Sequence, residues 1–282
     1  MNPTGKAKIL LWVWTIGVCI FITAPLMVMM AISLTATEYV SLPYKGVSLR
    51  WYVDLFNRPD FLYAGRNSIV LALQATTVAI LLGTPVAIAI TRYRFPGRGM
   101  INVLVNAPLF IPLVMSGLAI LIFFSTFNLG GPAMRLFVAH VSLTVPYIIR
   151  MVSTSMAGFD WNQEVAARNL GASPLRAFIE IILPQVMPGV IAGGLFALIV
   201  SFDDIGISIF LIGASYTTLP VELYAFAAYD LTPVVAAAAV FMIAFSAVSV
   251  LVIEWLFGVQ RVLAGDVGRA EDARPKGAAA AT

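Results

Sequence analysis

The sequence predicts an all-α integral membrane protein with six transmembrane helices. Of the 282 residues, 60% are hydrophobic and only 11% are charged, whereas about a quarter of the residues in a soluble domain are charged. The mean hydropathy is +0.94. Charge-free runs near the ~20 residues needed to cross a bilayer recur along the chain. These observations exclude an ordinary water-soluble globular domain.

The six predicted spans are the apolar segments between charged residues, because a charge at the bilayer centre costs about 2.5 to 3.5 kcal/mol. The third segment is long enough for one span followed by a turn at Gly130, Gly131 and Pro132. Arg150 lies near one end of the fourth, where its long side chain can reach the interface. The segments are residues 9–37, 67–91, 99–134, 135–159, 181 to beyond 200, and 231–253.

The distribution of lysine and arginine predicts the orientation of these spans. If the amino terminus is cytoplasmic, twelve of the 17 basic residues fall in cytoplasmic segments and five fall outside. Cytoplasmic loops carry the excess of Lys and Arg, so both termini are expected inside. The pI of about 9.1 is then explained by topology, and no nucleic-acid partner is expected. The first span is too long for a cleaved signal sequence and is expected to remain as an anchor.

The loops and the tail complete the predicted organisation. A transmembrane domain is expected over residues 1–258 and a disordered cytoplasmic tail over 259–282, because the tail has no apolar period. The inner loop, which joins the fourth and fifth predicted spans, favours a short helix at about 161–171. An acid or amide near the start can cap this helix, and Gly171 suits the left-handed backbone conformation at its end. The outer stretch 34–66 contains Trp51, expected either in the interfacial aromatic belt or against a partner.

Motifs for covalent chemistry are absent from the sequence. There is no G-x-x-x-x-G-K-[ST] loop for nucleotide phosphates, no H-E-x-x-H and no G-x-S-x-G. Cys19 is the only cysteine and His140 the only histidine, so one chain forms neither a disulfide nor a paired-histidine metal site. We therefore expect no catalytic residue, no metal and no cofactor, and we expect His140 to be a hydrogen-bonded packing residue.

Asp203 and Asp204 are the unusual residues, because they lie in otherwise apolar sequence. Acids inside a membrane usually line a path or pair with a partner. The spacing Ser201-x-x-Asp204 also matches a capping box, which would start a new helix there. A single helix over 181–212 would be about 48 Å long, so we expect it either to leave the membrane or to break near the aspartates. A role in a transport path or gate and a role as a helix cap both remain open.

The inner loop carries a resemblance to a known family. Ala166-Ala167-x-x-x-Gly171, followed after nine residues by Ile181-x-Leu183-Pro184, resembles the EAA signature of permease subunits of binding-protein-dependent ABC importers. The signature usually begins with Glu, where this sequence has Val165, and the acid stands one place earlier as Glu164. Within the family, Ser201-Phe202-Asp203-Asp204 followed by Leu219-Pro220 is most similar to the spermidine/putrescine importers.

The resemblance implies a type I ABC importer permease fold in a bacterial inner membrane. It implies three kinds of protein partner: two cytoplasmic ATP-binding subunits, a second homologous permease and a periplasmic substrate-binding protein. The chain would form half of a path for a small organic cation such as spermidine or putrescine, without an ATPase site of its own. The alternatives are another small amino, opine or phosphonate substrate, or a secondary transporter. The implied coupling residues are Glu164, Val165, Ala166, Ala167, Gly171, Ile181, Leu183 and Pro184.

Overall fold

The computed structural model describes residues 5–38, 46–229 and 232–257. The predicted tail at 259–282 lies outside these residues. The described part is helical, with two isolated β-bridges and no named strand. Its α-helices are α1 (Gly5–Ser33), α2 (Arg50–Phe56), α3 (Pro59–Arg92), α4 (Arg98–Asn106), α5 (Leu113–Thr126), α6 (Pro132–Ser155), α7 (Asn162–Asn169), α8 (Pro174–Ala177), α9 (Leu183–Phe202), α10 (Ser208–Leu211), α11 (Leu219–Tyr229) and α12 (Val234–Phe257).

Five regions of the described chain are long and apolar enough to cross a membrane, and a bent pair of helices makes a sixth. The five straight regions contain α1, α3, α6, α8 with α9, and α12. The predicted all-α membrane fold is confirmed, with five apolar spans in the described residues, or six when the bent pair counts as one span. The third predicted span is not one straight helix, because α4 and α5 meet at 101°. Pro108 and Pro112 explain the bend, since each removes a backbone donor at this point of the helical ladder.

The chain forms two compact units, and each is described by itself. The first contains the described residues up to Gly65 together with Leu219–Phe245. In this unit the Trp51 indole is 5% exposed and donates to the Thr35 carbonyl at 2.7 Å. Phe61 meets Phe226 edge to face, with ring centroids 5.4 Å apart. Trp51 therefore belongs to the packed interior of this unit.

The second unit contains Arg66–Thr218 and the described residues from Ser246 onward. Small residues let its helices pack closely: a Cβ placed on Gly193 of α9 would lie 3.1 Å from the Ile148 Cα of α6, and one on Gly83 of α3 would lie 2.9 Å from the Ile148 Cβ. Close approach through small residues is typical of helix packing in membranes. The buried cluster formed by these three helices includes Ala79, Ile148, Ile149, Val152, Val186 and Ala197.

A π-helical turn, Phe178–Ile182, connects α8 to α9 in the second unit. Pro184 follows at the start of α9 and has no N–H with which to continue an α-helical ladder into the turn. The Ser173 hydroxyl caps α8 by accepting from the Arg176 amide at 3.3 Å. The chain therefore passes from the loop after α7 into the fifth span through a continuous helical segment.

Candidate functional site

Helix α7 occupies the loop predicted to be cytoplasmic, and both of its ends are held by local hydrogen bonds. At the start, Asp160 Oδ1 accepts from the Asn162 amide at 3.0 Å. At the end, the Gly171 amide donates to the Arg168 carbonyl and the Ala172 amide donates to the Ala167 carbonyl, each at 3.0 Å. This pair of bonds is a Schellman motif, which requires a left-handed residue, and the φ of Gly171 is +93°.

Glu164 points away from solvent and pairs with Arg92 at the end of α3. The Arg92 Nη2 atom lies 2.7 Å from Glu164 Oε1 and 2.6 Å from Glu164 Oε2. The carboxyl side chain is 6% exposed and the arginine side chain 24%. The guanidinium also lies 5.2 Å from the ring centroid of Trp161 and 4.8 Å from that of Tyr93. This ion pair therefore attaches α7 to the end of a predicted span.

The residues around Glu164 face outward. Val165, at the position of the usual signature acid, is 55% exposed, and Leu170 is 90% exposed. Ala166 is exposed and Ala167 is partly buried. The exposed face of α7 therefore includes apolar and small side chains, while its acid is turned toward the rest of the unit.

The second half of the signature lies where the chain enters α9. Ile181 and Leu183 are partly buried and Pro184 is exposed, with Leu183 packed against the cluster formed by α3, α6 and α9. The Gln185 amide donates to Gln163 Oε1 at 2.7 Å, which joins α9 to α7 directly. The structure therefore brings α7 and the start of α9 into direct contact within the second unit.

Asp203 and Asp204 lie where α9 ends, and their environments are opposite. Asp203 is exposed, and among the described residues its carboxylate has no hydrogen-bond or ion-pair partner. Asp204 is 6% exposed. Its carboxylate accepts from the Ser208 amide at 3.0 Å and from the Ser208 hydroxyl at 2.9 Å, and more weakly from the Ile207 amide. Asp204 therefore caps α10, and Asp203 is left with a free charge.

A buried polar chain joins this break to α6. His140 is fully buried; its Nδ1 lies 2.7 Å from Ser201 Oγ and its Nε2 lies 2.9 Å from Ser208 Oγ. The Ser208 hydroxyl already donates to Asp204, so one ring proton on Nε2 satisfies the whole chain of bonds. Ser201 thus bonds to His140 and does not form the Ser201-x-x-Asp204 capping box, which was one of the two possibilities that the sequence left open.

The partners of Glu164 and of His140 were not predicted from the sequence. Arg92 and Glu164 are 72 residues apart, and His140 lies 61 residues before Ser201 and 68 before Ser208. Nothing in the local spacing marks such contacts. For His140 the available signal was that a single polar residue stands in apolar sequence, where it needs partners. The described residues contain no cluster of three or more potential metal ligands.

Comparison with known proteins gives matches over most of the chain. Residues 79–259 match the family described as binding-protein-dependent transport system inner membrane component. The spermidine/putrescine transport system permease protein PotC of Haemophilus influenzae is 31% identical over 226 residues, which are 80% of this chain and 88% of PotC. The putrescine transport system permease protein PotI of Escherichia coli is 34% identical over 211 residues, 72% of this chain and 75% of PotI.

Solved structures have the same fold. A bacterial ABC transporter involved in the import of the acidic polysaccharide alginate matches with a TM-score of 0.67 at 15% identity, covering 93% of this chain and 99% of that one. The inward-facing MetNI methionine ABC transporter matches with a TM-score of 0.60 at 18% identity, covering 72% of this chain and 95% of that one.

Proposed function

This chain belongs to the inner membrane components of binding-protein-dependent transport systems, and on that basis we propose that it forms half of a translocation path for a small organic cation such as spermidine or putrescine. The observation that carries the substrate class is the 31% and 34% identity to two polyamine permeases over most of this chain. The other half of the path is a second, homologous permease. A periplasmic binding protein delivers the cation, and two ATP-binding subunits supply the energy.

Helix α7 is the proposed contact with an ATP-binding subunit. It exposes Val165, and the exposed Leu170 directly follows the helix; both are apolar side chains that are stabilised by burial against another protein. The Schellman turn at Gly171 and the Arg92–Glu164 ion pair hold the helix in one place. Closure of the ATP-binding subunits would then move α7 together with the spans bonded to it, and the path alternates between inward-open and outward-open states.

Asp203 is the proposed site of contact with the cation. A polyamine loses hydration when it enters a membrane protein, and a nearby carboxylate offsets part of that loss. Asp203 is exposed and has no side-chain partner among the described residues, whereas Asp204 is occupied as the cap of α10. The two neighbouring acids therefore have different proposed roles, one in the path and one in holding the break.

The experiment is uptake of labelled spermidine and putrescine by the complete transporter in proteoliposomes. Asp203→Asn removes the free charge and should lower uptake about tenfold, the equivalent of ~1.4 kcal/mol of lost attraction. Asp204→Asn is the matched control, because an amide oxygen also caps a helix, and it should retain most uptake. Asp204→Ala should lower the melting temperature in detergent. Unchanged uptake with Asp203→Asn would remove the role of this acid.

Competition in the same vesicles tests the substrate class separately. Unlabelled polyamines should reduce uptake of the label, while small amino acids, opines and phosphonates should not. Inhibition by one of these other compounds, together with its own ATP-dependent uptake, would replace the polyamine assignment. Uptake that continues without ATP would instead indicate a secondary transporter.

A further inference from the structure

A cavity of about 430 Å³ lies between the ends of α3 and α6 and the start of α4. Its polar wall is formed by Thr91, Arg98, Gly99, Asn102 and Ser153, and Ile90 and Ala157 complete the lining. None of these residues belongs to α7 or to the break after α9. A single water takes about 30 Å³ of liquid volume, so the cavity is large enough for a polyatomic ligand and not only for one water.

Arg98 gives the cavity a positive charge that no acid balances. Its side chain is partly buried, and no salt bridge to it occurs within the described ranges. Two other arginines of the predicted inner loops do have acidic partners: Arg92 pairs with Glu164 and Arg176 pairs with Glu180. The lining itself contains no Asp or Glu. A partly buried cation without a protein partner favours an anionic ligand.

Asn102 and Ser153 of the wall can donate hydrogen bonds to a ligand, whereas the Thr91 hydroxyl already donates to the Ala87 carbonyl at 2.7 Å. Asn102 Oδ1 accepts from Asn106 at 3.2 Å, which leaves the Asn102 amide nitrogen free to donate into the cavity. Ser153 Oγ is buried and has no hydrogen-bond partner in the part of the chain that the structure describes. Helix α4 starts after Gly97 without a side-chain cap, and the space beside Gly99 is open. A guanidinium with surrounding N–H and O–H groups matches the chemistry of a phosphate.

We propose that this cavity binds the phosphate of an anionic phospholipid headgroup, such as phosphatidylglycerol. The lipid is favoured over a free phosphate ion because the cavity lies at the ends of two spans, where headgroups meet the protein. Basic pockets between transmembrane helices are a known form of headgroup site. Ile90 and Ala157 supply apolar surface beside the polar wall, which suits a glycerol ester better than a bare ion.

The test is native mass spectrometry of the delipidated full-length chain titrated with phosphatidylglycerol. Arg98→Gln should weaken binding about tenfold through loss of a charge-assisted contact. The matched control is Arg94→Gln, which removes an exposed arginine of the same loop that does not line the cavity, and it should change binding less than about twofold. Gly99→Leu keeps the charge but fills the open space, and it should also weaken binding.

Two further arms identify the source of the phosphate and control for folding. Inorganic phosphate at millimolar concentration should not displace the lipid; displacement would overturn the lipid assignment in favour of a free anion. Equal losses with Arg98→Gln and Arg94→Gln would overturn the site, because they would indicate general attraction to a basic surface. The melting temperature of each variant in detergent shows that the compared proteins are folded.

Discussion

Glu222 of α11 is a residue whose protonation affects the stability of the first unit. Burial, followed by the negative charge of Asp60 at the start of α3, raises its pKa from the ordinary value of 4.5. The folded state therefore holds a proton on this carboxyl at pH values where the unfolded chain has lost it. Stability from this group is fully present below pH 4.5 and is lost as the pH rises through the folded-state pKa.

We expect Glu222→Gln to raise the melting temperature at neutral pH, because the amide has no charge to desolvate. Between pH 4.5 and neutrality its melting temperature should vary less with pH than that of the original protein. The measurement is thermal melting in detergent across this range. Glu38→Gln is the control, since the Glu38 side chain is 72% exposed and should leave the pH dependence as it was. Parallel pH curves for the Glu222 variant and the original would contradict the assignment.

The two aspartates after α9 show how far residue-level prediction from sequence extends. Their apolar surroundings mark them as functional or capping residues, and both roles were kept open. The structure makes Asp204 the cap through Ser208, a bond within four residues that a local pattern can suggest. The bond of Ser201 to His140 crosses 61 residues, and it depends on how α6 packs against α9, which the sequence does not state.

At the scale of elements, the ion pair between α3 and α7 should contribute to stability. Either Glu164→Gln or Arg92→Gln leaves a largely buried charge without its partner, which should lower the free energy of unfolding by about 1–3 kcal/mol. The double variant should be no less stable than the worse single variant, because only one interaction is lost. Thermal melting in detergent measures all three.

The exposed pair Arg176–Glu180, with side chains 67% and 58% exposed, is the control for that cycle. Such pairs contribute about 0–1 kcal/mol, so Arg176→Gln and Glu180→Gln should leave the melting temperature nearly unchanged. Strictly additive losses in the Arg92–Glu164 cycle would show that the two side chains do not interact.

The turn that ends α7 depends on one glycine. Gly171→Val should weaken co-purification of the ATP-binding subunit and lower uptake, because a β-branched residue at φ +93° is strained. No atom lies within 4 Å of the added Cβ, so the effect is conformational. Gly158→Val is the matched control in the same loop: its surroundings are equally open and its φ is not left-handed. Equal co-purification of both variants would argue against the coupling role of α7.

The elements themselves were mostly predictable because a bilayer excludes charge. The bend between α4 and α5 was not predicted, although Pro108 and Pro112 were visible. Proline alone does not indicate a break, since α3 and α6 contain Pro85 and Pro146 and continue through them. Whether a proline ends or only perturbs a helix depends on the neighbouring helices that replace the lost hydrogen bond.

At the scale of the whole molecule, the excess of basic residues predicts which face is cytoplasmic. In a Cys19→Ser background, Val165→Cys on α7 and Val47→Cys are both well exposed, at 55% and 73% for the original valines. A membrane-impermeant maleimide should label Val47→Cys in spheroplasts and Val165→Cys only in inside-out vesicles stripped of the ATP-binding subunits, which would otherwise cover position 165. The reverse pattern would overturn the orientation and, with it, the proposed contact of α7 with ATP-binding subunits.

The bonds around α7 also determine how force passes through the molecule. The helix follows α6 in the chain, is bonded to α3 through Arg92 and Glu164, and is bonded to α9 through Gln163 and Gln185. A displacement of α7 is therefore transmitted to three spans at once, through one covalent connection and two pairs of side chains. Removal of one of these two side-chain pairs should weaken the mechanical coupling between α7 and the spans, while the other pair and the chain itself keep α7 attached. A larger displacement of α7 would then be needed for the same movement of the spans.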